Sequence, residues 1–455
     1  MTDLKLPIAK DLTDEQLQLV RVGTEHSVAL SFRSKYRDKL VYDHHSQRWL
    51  IWDGKCWTLD SKRLVQNFCR KVATQTDDNK STQRISFVRG VESFSQSDPA
   101  FARHSGEFDA DNYLLNTQDG VIDLRTGEMK HHDPKLMITN ITPVSIGEGY
   151  GTRFPQFLKE ITMGDSELEK FLQVALGAIL SGAIEDHWMM FWRGSGRNGK
   201  NTLGDAVANV LGTYSRKIPS TVLMKSKHEG HPTEIAQLKG CRMAIASEIE
   251  ATAFWNEPKM KELTGDEMLS ARFMRGDFFN FKKTFKFLIY GNHRPRLSSV
   301  DEAIRSRMKI VWFKADFSKR PDPNLPEKLR EEYPNILRWL IDGHLEWYQN
   351  GKRLPKCQAV EDELDDYLDS QATVVNWIDE YLKTGYQVTW TKASTLYESY
   401  RQWKENRGEQ AVSQTVWADA MLSRFARKRV NSGMVYSAEI KKSEQFQGKY
   451  GEHRG

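Results

Sequence analysis

The residues with the clearest chemical pattern run from 194 to 202 and read GSGRNGKNT. The backbone N–H groups of a glycine-rich loop, with the start of a following helix, bind phosphate groups, and a lysine at the end of the loop reaches the terminal phosphates. The apolar run MMFW before the loop and the amphipathic run after it predict strand, loop and helix in that order. The predicted phosphate-binding residues are Gly194, Ser195, Gly196, Arg197, Asn198, Gly199, Lys200, Asn201 and Thr202.

One position departs from the usual phosphate loop. A Ser or Thr normally follows the lysine and supplies a hydroxyl to Mg²⁺, whereas this chain has Asn201 there and Thr202 one step later. We expect the side-chain oxygen of Asn201 to bind Mg²⁺ directly or through water, while Thr202 supports the phosphates. Asn201 and Thr202 are therefore predicted metal-binding residues. The third is Glu248, an acidic residue at the end of a later strand.

Further polar residues follow the loop in the order that nucleotide hydrolysis requires. CRMAIASEIE is an apolar strand ending in acid, and alternation along a strand puts Glu248 and Glu250 on one face. One of these carboxylates would complete the Mg²⁺ shell and polarise the attacking water. KFLIYGN ends a second apolar strand with Asn292, placed to orient that water. DEAIRSRMKI then supplies Arg305 and Arg307, candidates for an arginine finger offered to the nucleotide of a neighbouring subunit.

Between the acidic strand and Asn292, MLSARFM and FFNFKK flank the turn sequence Arg275-Gly276-Asp277. This pattern predicts a β-hairpin with basic residues at or near its tip. A purely structural hairpin is the alternative reading. In a ring-shaped assembly, Arg275, Lys282 and Lys283 would hold the backbone of a single nucleic-acid strand.

The last part of the chain has three helical patterns, VVNWIDEYL, STLYESYRQW and VWADAMLSRFARK, followed by a short hairpin near residues 431–436. Three helices and a hairpin predict a winged helix-turn-helix. The basic residues there either form a solvated surface or contact DNA phosphates, and we favour DNA contact by Arg424, Arg427 and Lys428.

The composition is that of a water-soluble, folded protein. The 455 residues are 39% hydrophobic and 28% charged, with a formal net charge of +5. The four cysteines lie far apart without zinc-ligand spacing, which is typical of a reducing compartment. The longest apolar run, FLQVALGAILSGAI, is too short to span a bilayer and predicts a buried helix.

The predicted fold is α/β with six segments. Their boundaries are an N-terminal leader at 1–25, an α+β domain at 26–150, a helical module at 151–187, a phosphate-loop ATPase domain at 188–316, a helical lid and linker at 317–371, and a winged helix at 372–455. The acidic run VEDELDDYLD is expected to form a solvated helix face in the linker.

These segments together resemble superfamily 3 helicases, specifically the phage and satellite-phage primase-helicases related to the poxvirus D5-type protein. The resemblance rests on GSGRNGKNT, LKGCRMAIASEIE, KELTGDEMLSARF, FKFLIYGNHRP and DEAIRSRM, with RWLIWDGKCW and FDADNYLLNTQDGVIDL ahead of them. It implies an AAA+ ATPase that uses ATP and Mg²⁺, assembles into a homo-hexameric ring, and moves along single-stranded DNA at a replication fork in the cytoplasm of a bacterial host. Lys200, Glu248 and Asn292 would act in one subunit and Arg307 in the next.

Two other functions remain open at this stage. The Asn201 substitution fits a DNA-binding initiator or loading scaffold that binds ATP without hydrolysing it, and the same motifs occur in AAA+ motors of other classes. Many relatives also carry an N-terminal primase domain, whereas about two dozen residues precede the helicase-associated region here, and a separate primase or initiator is a further candidate partner. The D-x-D pair Asp109 and Asp111 lies in the segment FDADNYLLN, which the resemblance marks as non-catalytic.

Overall fold

The computed structural model describes residues 23–76, 80–226, 232–247, 249, 253–274, 277–297, 301–383, 389–407, 410–422 and 424–441. In this described part of the chain, no helix is long and apolar enough to cross a membrane. The apolar run at 171–184 lies in a buried helix and the turn after it, as predicted.

The N-terminal part is a mixed α and β unit, as predicted. Its elements are α1 (Glu25–Tyr36), β1 (Leu40–Asp43), β2 (Arg48–Trp52), β3 (Trp57–Leu59), α2 (Leu64–Thr76), α3 (Ile85–Gln96), β4 (Ala102–Arg103), β5 (Leu114–Asn116), β6 (Val121–Asp123) and β7 (Met129–Lys130). The strands form one sheet in the order β3-β2-β1-β4 and a second in the order β5-β6-β7. Trp49 and Trp57 are buried, which agrees with core packing.

The middle of the chain is built on a five-stranded parallel sheet. Its elements are α4 (Arg153–Ile161), α5 (Ser166–Ala178), β8 (Met189–Arg193), α6 (Lys200–Leu211), β9 (Ser215–Ile218), α7 (Pro232–Ala236), β10 (Met243–Ala246), α8 (Glu257–Gly265), β11 (Met268–Ala271), β12 (Phe279–Lys282), β13 (Lys286–Gly291), α9 (Glu302–Arg307), β14 (Met308–Trp312), α10 (Leu325–Glu331) and α11 (Tyr333–Gln349). The sheet order is β14-β8-β13-β10-β9, and every neighbouring pair is parallel. The apolar runs of β8, β10 and β13 are buried on both faces, as parallel strands require.

One face of this sheet is covered by α5 and α11, which precede and follow it in sequence. Two glycines allow these helices to approach closely. A Cβ on Gly177 would lie 2.4 Å from the backbone nitrogen of His344, and a Cβ on Gly343 would lie 2.3 Å from the carbonyl oxygen of Gln173. The predicted helical module therefore shares one hydrophobic core with α11 and the sheet.

The C-terminal part begins within a long helix. Its elements are α12 (Gln358–Tyr381), β15 (Leu382–Lys383), β16 (Thr391–Lys392), α13 (Ala393–Glu405), α14 (Gln414–Met421), β17 (Arg427–Val430), β18 (Gly433–Tyr436) and β19 (Glu439–Ile440). The predicted helices and the hairpin β17–β18 are present. The expected solvated face of α12 is present, since Glu361, Asp362, Asp366 and Asp369 are exposed, but Glu363 of the same acidic run is buried. The predicted boundary at 371/372 falls inside this helix.

The hairpin predicted between the acidic strand and Asn292 is present as β11 and β12. Its last pair among the described residues joins Ala271 to Phe279. Arg275 and Gly276 lie outside the described residues.

Candidate nucleotide-binding site

The glycine loop connects the carboxyl end of β8 to the first turn of α6. Gly196 and Gly199 have φ angles of +96° and +83°, a left-handed conformation that other residues rarely adopt. A Cβ on Gly196 would point into open space, whereas a Cβ on Gly199 would lie 2.4 Å from Cγ2 of Ile161. Gly199 is therefore required both by backbone conformation and by close packing against α4.

The side chain of Asn198 holds the glycine loop through a buried hydrogen bond. The residue is buried, and its Nδ2 donates to the carbonyl oxygen of Phe313, 3.1 Å away, just after β14. Gly194 leaves the space for this side chain, since a Cβ there would overlap the Asn198 amide. The Asn198 side chain is thus engaged in holding the loop, and Ser195 and Arg197 are the exposed residues of the loop.

Lys200 lies at the centre of the site. Its Nζ donates to Oδ1 of Asn292 at 2.7 Å and to the carbonyl oxygen of Gly194 at 3.4 Å. The side chain is buried, which lowers the pKa of its ammonium group. Among the described residues Lys200 forms no ion pair with a carboxylate. A buried cation held by neutral oxygen atoms favours an incoming anion.

The strand register explains why Lys200 meets Asn292. Gly291 of β13 pairs with Arg193 of β8, so Asn292 and Gly194 leave the same edge of the sheet side by side. Two sequence-predicted residues, Lys200 and Asn292, are therefore brought together. Glu248 and Glu250, which follow β10 at the same edge, lie outside the described residues.

Asn201 and Thr202 lie in the first turn of α6, with Asn201 exposed and Thr202 half-buried. Both line a cavity of about 370 Å³ between α6 and α10, together with Asp205, Leu329 and Tyr333. A larger cavity of about 780 Å³ lies between β14, α12 and the loop that precedes α5. The carboxylates that line it, Asp165, Glu167, Asp362, Glu363 and Asp366, would repel phosphate groups.

The two candidate finger arginines lie at the opposite edge of the sheet. They end α9 just before Met308, which pairs with Met189 at the start of β8. Arg305 forms an ion pair with Asp365 of α12, and Arg307 donates from Nε to Oγ1 of Thr264 at 3.1 Å. The structure therefore does not bring either arginine to Lys200 of the same chain.

The predicted DNA contacts have different surroundings. Lys282 is exposed, with its Nζ 3.4 Å from Glu267. The structure does not support the predicted DNA contact of Lys283, because this residue is buried. Its ammonium group donates to the carbonyl oxygen of Thr264, and burial lowers its pKa to about 8. Because strand alternation turns Lys283 inward when Lys282 faces solvent, it is not available to DNA in this structure.

In the C-terminal part, Arg427 and Lys428 are exposed on β17. The Nζ of Lys428 lies 4.0 Å from the ring centroid of Trp390, an exposed aromatic residue. Arg424 forms an ion pair with Asp379 of α12. A strand with exposed cations beside an exposed indole is a surface that suits a nucleic-acid backbone.

The D-x-D pair has structural partners in the fold. Asp109 accepts hydrogen bonds from the backbone and hydroxyl of Thr139, and Asp111 pairs with Arg125 at 2.8 Å. Among the described residues, no group of three or more His, Cys, Asp or Glu side chains is arranged to hold a metal ion. The two carboxylates hold loops of the N-terminal unit.

A cluster of one carboxylate and two arginines lies beside the site and was not predicted from the sequence. The Glu363 carboxylate of α12 accepts hydrogen bonds from Arg193, at the end of β8, and from Arg294, two residues after Asn292. The guanidinium of Arg193 also lies 3.9 Å from the ring centroid of Trp312. The only sequence signal was the position of the two arginines next to the glycine loop and to Asn292.

Comparison with known proteins finds two family segments and several viral relatives. Residues 29–163 match a family model described as "D5 N terminal like", and residues 192–307 match one described as a family of unknown function, DUF5906. A "Putative helicase" of Acanthamoeba polyphaga mimivirus is 25% identical over 382 residues, covering 75% of this chain and 39% of that protein. A "Putative primase" of African swine fever virus is 22% identical over 368 residues, covering 74% of this chain and 38% of that protein.

The chain thus spans well under half the length of these viral relatives. Among solved structures, the apo C-terminal region of NrS-1 is similar with a TM-score of 0.49 and 9% identity, covering 87% of this chain and 94% of that one. The resemblance drawn from the sequence motifs is confirmed by the two family segments and the viral relatives. The chain therefore has a D5 N-terminal-like segment followed by a DUF5906 segment, an arrangement that fits the D5-type helicase family.

Proposed function

We propose that the chain is an ATP-hydrolysing DNA helicase that works as a homo-hexameric ring in the replication of a phage or another mobile element. The observation that carries this proposal is the contact between Lys200 and Asn292 beside a glycine loop, at the carboxyl edge of a parallel sheet. Ligands of open parallel sheets bind at that edge. The arrangement supports an AAA+ phosphate-loop ATPase with a C-terminal winged helix.

The loop and Lys200 fit the phosphates of a nucleotide. The helix α6 begins at Lys200, and the N–H groups of its first turn, which have no carbonyl partner within the helix, favour an anion there. Lys200 would exchange the neutral oxygen atoms of Gly194 and Asn292 for phosphate oxygens. The cavity beside Asn201 and Thr202 is the place that we propose for the nucleoside, because it adjoins the first turn of α6. The larger cavity is lined by carboxylates, which would repel the attached phosphates.

Bound ATP with Mg²⁺ would supply the phosphoanhydride whose hydrolysis drives movement. In this proposal Asn201, Thr202 and Glu248 hold the metal, and Asn292 orients the attacking water once Lys200 has turned to the phosphates. Arg307, with Arg305 as the second candidate, would reach the nucleotide of the adjacent subunit. Their position at the opposite edge of the sheet supports a role between subunits, which motivates the ring.

DNA would contact two surfaces. The hairpin β11–β12 carries exposed Lys282 toward single-stranded DNA, and the strand β17 carries Arg427 and Lys428 toward the duplex arm of a fork. A separate primase or initiator protein is the further partner that we propose. Names given to the viral relatives support action on DNA, and they describe proteins of more than twice this length.

The test is the ATPase rate of the purified chain with and without single-stranded DNA, together with unwinding of a forked duplex and particle images of the assembly. Lys200→Ala should abolish both activities while the chain stays folded. Lys71→Ala, which removes an exposed lysine from α2 of the N-terminal unit, is the matched control and should keep both. Unwinding by Lys200→Ala at the wild-type rate would refute the proposal.

Asn201 in place of a hydroxyl residue favours one alternative, a DNA-binding initiator or loading scaffold that binds ATP without turnover. Nucleotide binding with no hydrolysis, even when DNA is present, would identify that function.

A further inference from the structure

One face of α12 runs along the segment that follows Asn292. The side chains on this face are spaced four residues apart, so they lie on successive turns of the helix. The contacts are Glu363 with the guanidinium of Arg294 at 2.5 Å, the hydroxyl of Tyr367 with the carbonyl oxygen of Pro295, and Oε1 of Gln371 with the backbone nitrogen of Leu297 at 3.3 Å. The segment that follows Asn292 is therefore held by one helix at three points.

Glu363 is the charged member of this set. It is 6% exposed and lies between two guanidinium groups, those of Arg193 and Arg294. Arg294 has a second partner, Asp366, at 2.7 Å, but that carboxylate is 69% exposed and its attraction is screened by water. Removing the charge of Glu363 would leave two partly buried cations facing each other, so Glu363 determines where both arginines lie.

Glu363 and Lys200 contact the same two chain segments at neighbouring residues. Lys200 contacts Gly194 and Asn292, while Glu363 contacts Arg193, one residue before Gly194, and Arg294, two residues after Asn292. The partners of Lys200 and those of Glu363 are therefore at most two residues apart in each segment.

The same helix continues into the C-terminal core. Val374, Trp377 and Ile378 of α12 are fully buried there. Glu363 and Trp377 are 14 residues apart in one helix, a distance of about 21 Å along its axis. The C-terminal unit also carries the exposed cations of β17.

We propose that Glu363 is a positioning residue that places Asn292 and the glycine loop for hydrolysis, and that α12 transmits the nucleotide state to the DNA-binding surface of the C-terminal unit. The inference rests on the proposed function, since it assumes that the site binds ATP. Coupling of this kind is reciprocal, so DNA bound to the C-terminal unit would also change nucleotide affinity.

The experiment compares the full chain with Glu363→Gln, which keeps the shape of the side chain and removes its charge. Asp362→Asn is the control, because that carboxylate is exposed on the same helix and accepts a hydrogen bond from Gln358 within the helix. Two quantities are measured: kcat and KM for ATP, and the ratio of duplex DNA affinities with a non-hydrolysable ATP analogue and with ADP.

For Glu363→Gln we expect kcat to fall about tenfold while KM changes by less than about threefold, because misplaced catalytic groups lower turnover more than binding. We expect a wild-type affinity ratio of about fivefold or more, which should fall below about twofold in this variant. Asp362→Asn should match the wild type in both. A general loss of folding would not preserve KM and the affinity measured in ADP.

Wild-type kcat and a wild-type affinity ratio in Glu363→Gln would overturn the inference while leaving the proposed function intact. If wild-type protein neither binds nor hydrolyses ATP, the proposed function fails, and this inference fails with it. If Glu363→Gln does not fold, Glu363→Asp decides, since it keeps the charge but, with one methylene fewer, withdraws the carboxylate from Arg193 and Arg294. It should lower kcat about threefold, and an unchanged kcat there would also overturn the inference.

Discussion

Acidification should weaken the helical layer that covers the parallel sheet, because His344 is buried there without charge. The ring is fully buried in α11, and its Nδ1–H donates to the carbonyl oxygen of Gly177 in α5 at 3.0 Å. Its Nε2 is also buried and has no hydrogen-bond partner among the residues that the structure describes. Burial, with a smaller contribution from the nearby Arg242 guanidinium, lowers the pKa of His344 from 6.5 to about 4.

The sign of the effect follows from these two pKa values. Between pH 6.5 and about 4 the unfolded chain binds a proton at His344 that the folded chain does not, so stability is full above pH 6.5 and is lost as the pH falls. Each pH unit in this window costs about 1.4 kcal/mol. We therefore expect a loss of about 2 kcal/mol between pH 7.5 and pH 5.0, and about 3 kcal/mol once the folded-state pKa is passed.

The assay is hydrogen–deuterium exchange of the amides in α5 and α11 at pH 7.5 and 5.0, corrected for intrinsic exchange rates, which gives the free energy of local opening. The comparison variant is His344→Asn, whose amide can still donate to Gly177 but does not titrate. Carboxylates titrate in both proteins, so their contribution cancels in the difference. If the variant and the wild type lose the same free energy between the two pH values, His344 is not the group responsible.

Three further predictions concern the nucleotide and DNA surfaces. Gly199→Ala should weaken binding of a fluorescent ATP analogue at least about tenfold, because the new methyl group would need a left-handed backbone and would collide with Ile161; unchanged affinity would contradict the close packing. Asn201→Ser should keep or raise the ATPase rate and Asn201→Ala should lower it about tenfold, whereas normal turnover in the alanine variant would mean that another residue holds Mg²⁺. Replacing Arg427 and Lys428 together by Gln should weaken duplex binding about tenfold and reduce the salt dependence of log K by about two; an unchanged salt slope would remove β17 from the interface.

The local patterns around the site were predictable from the sequence because they depend on short-range physics. Strands β8, β10 and β13 are short apolar runs with polar ends, and strand–loop–helix order follows from the glycines of the loop. The contact between Lys200 and Asn292 follows once both strands are parallel neighbours.

Other features depend on tertiary packing and could not be predicted from local patterns. The acidic run of α12 predicts a solvated face, yet Glu363 is buried because two arginines from distant strands surround it. Lys283 is one residue from exposed Lys282, and only the pairing of the hairpin decides which of the two faces inward. The predicted boundary at 371/372 lies between Leu368, which packs with the parallel sheet, and Val374, which packs in the C-terminal core, but local patterns did not indicate that one helix crosses it.

The close contact of α5 with α11 also constrains the order in which this protein can fold during synthesis. Gly177 and Gly343 belong to helices that bracket all five strands of the parallel sheet in sequence. About 155 residues separate the end of α5 from the start of α11, which a ribosome adds in about 10–30 s. During that interval the apolar face of α5 has no permanent cover, so a chain that stops before α11 would expose it to aggregation and chaperone binding.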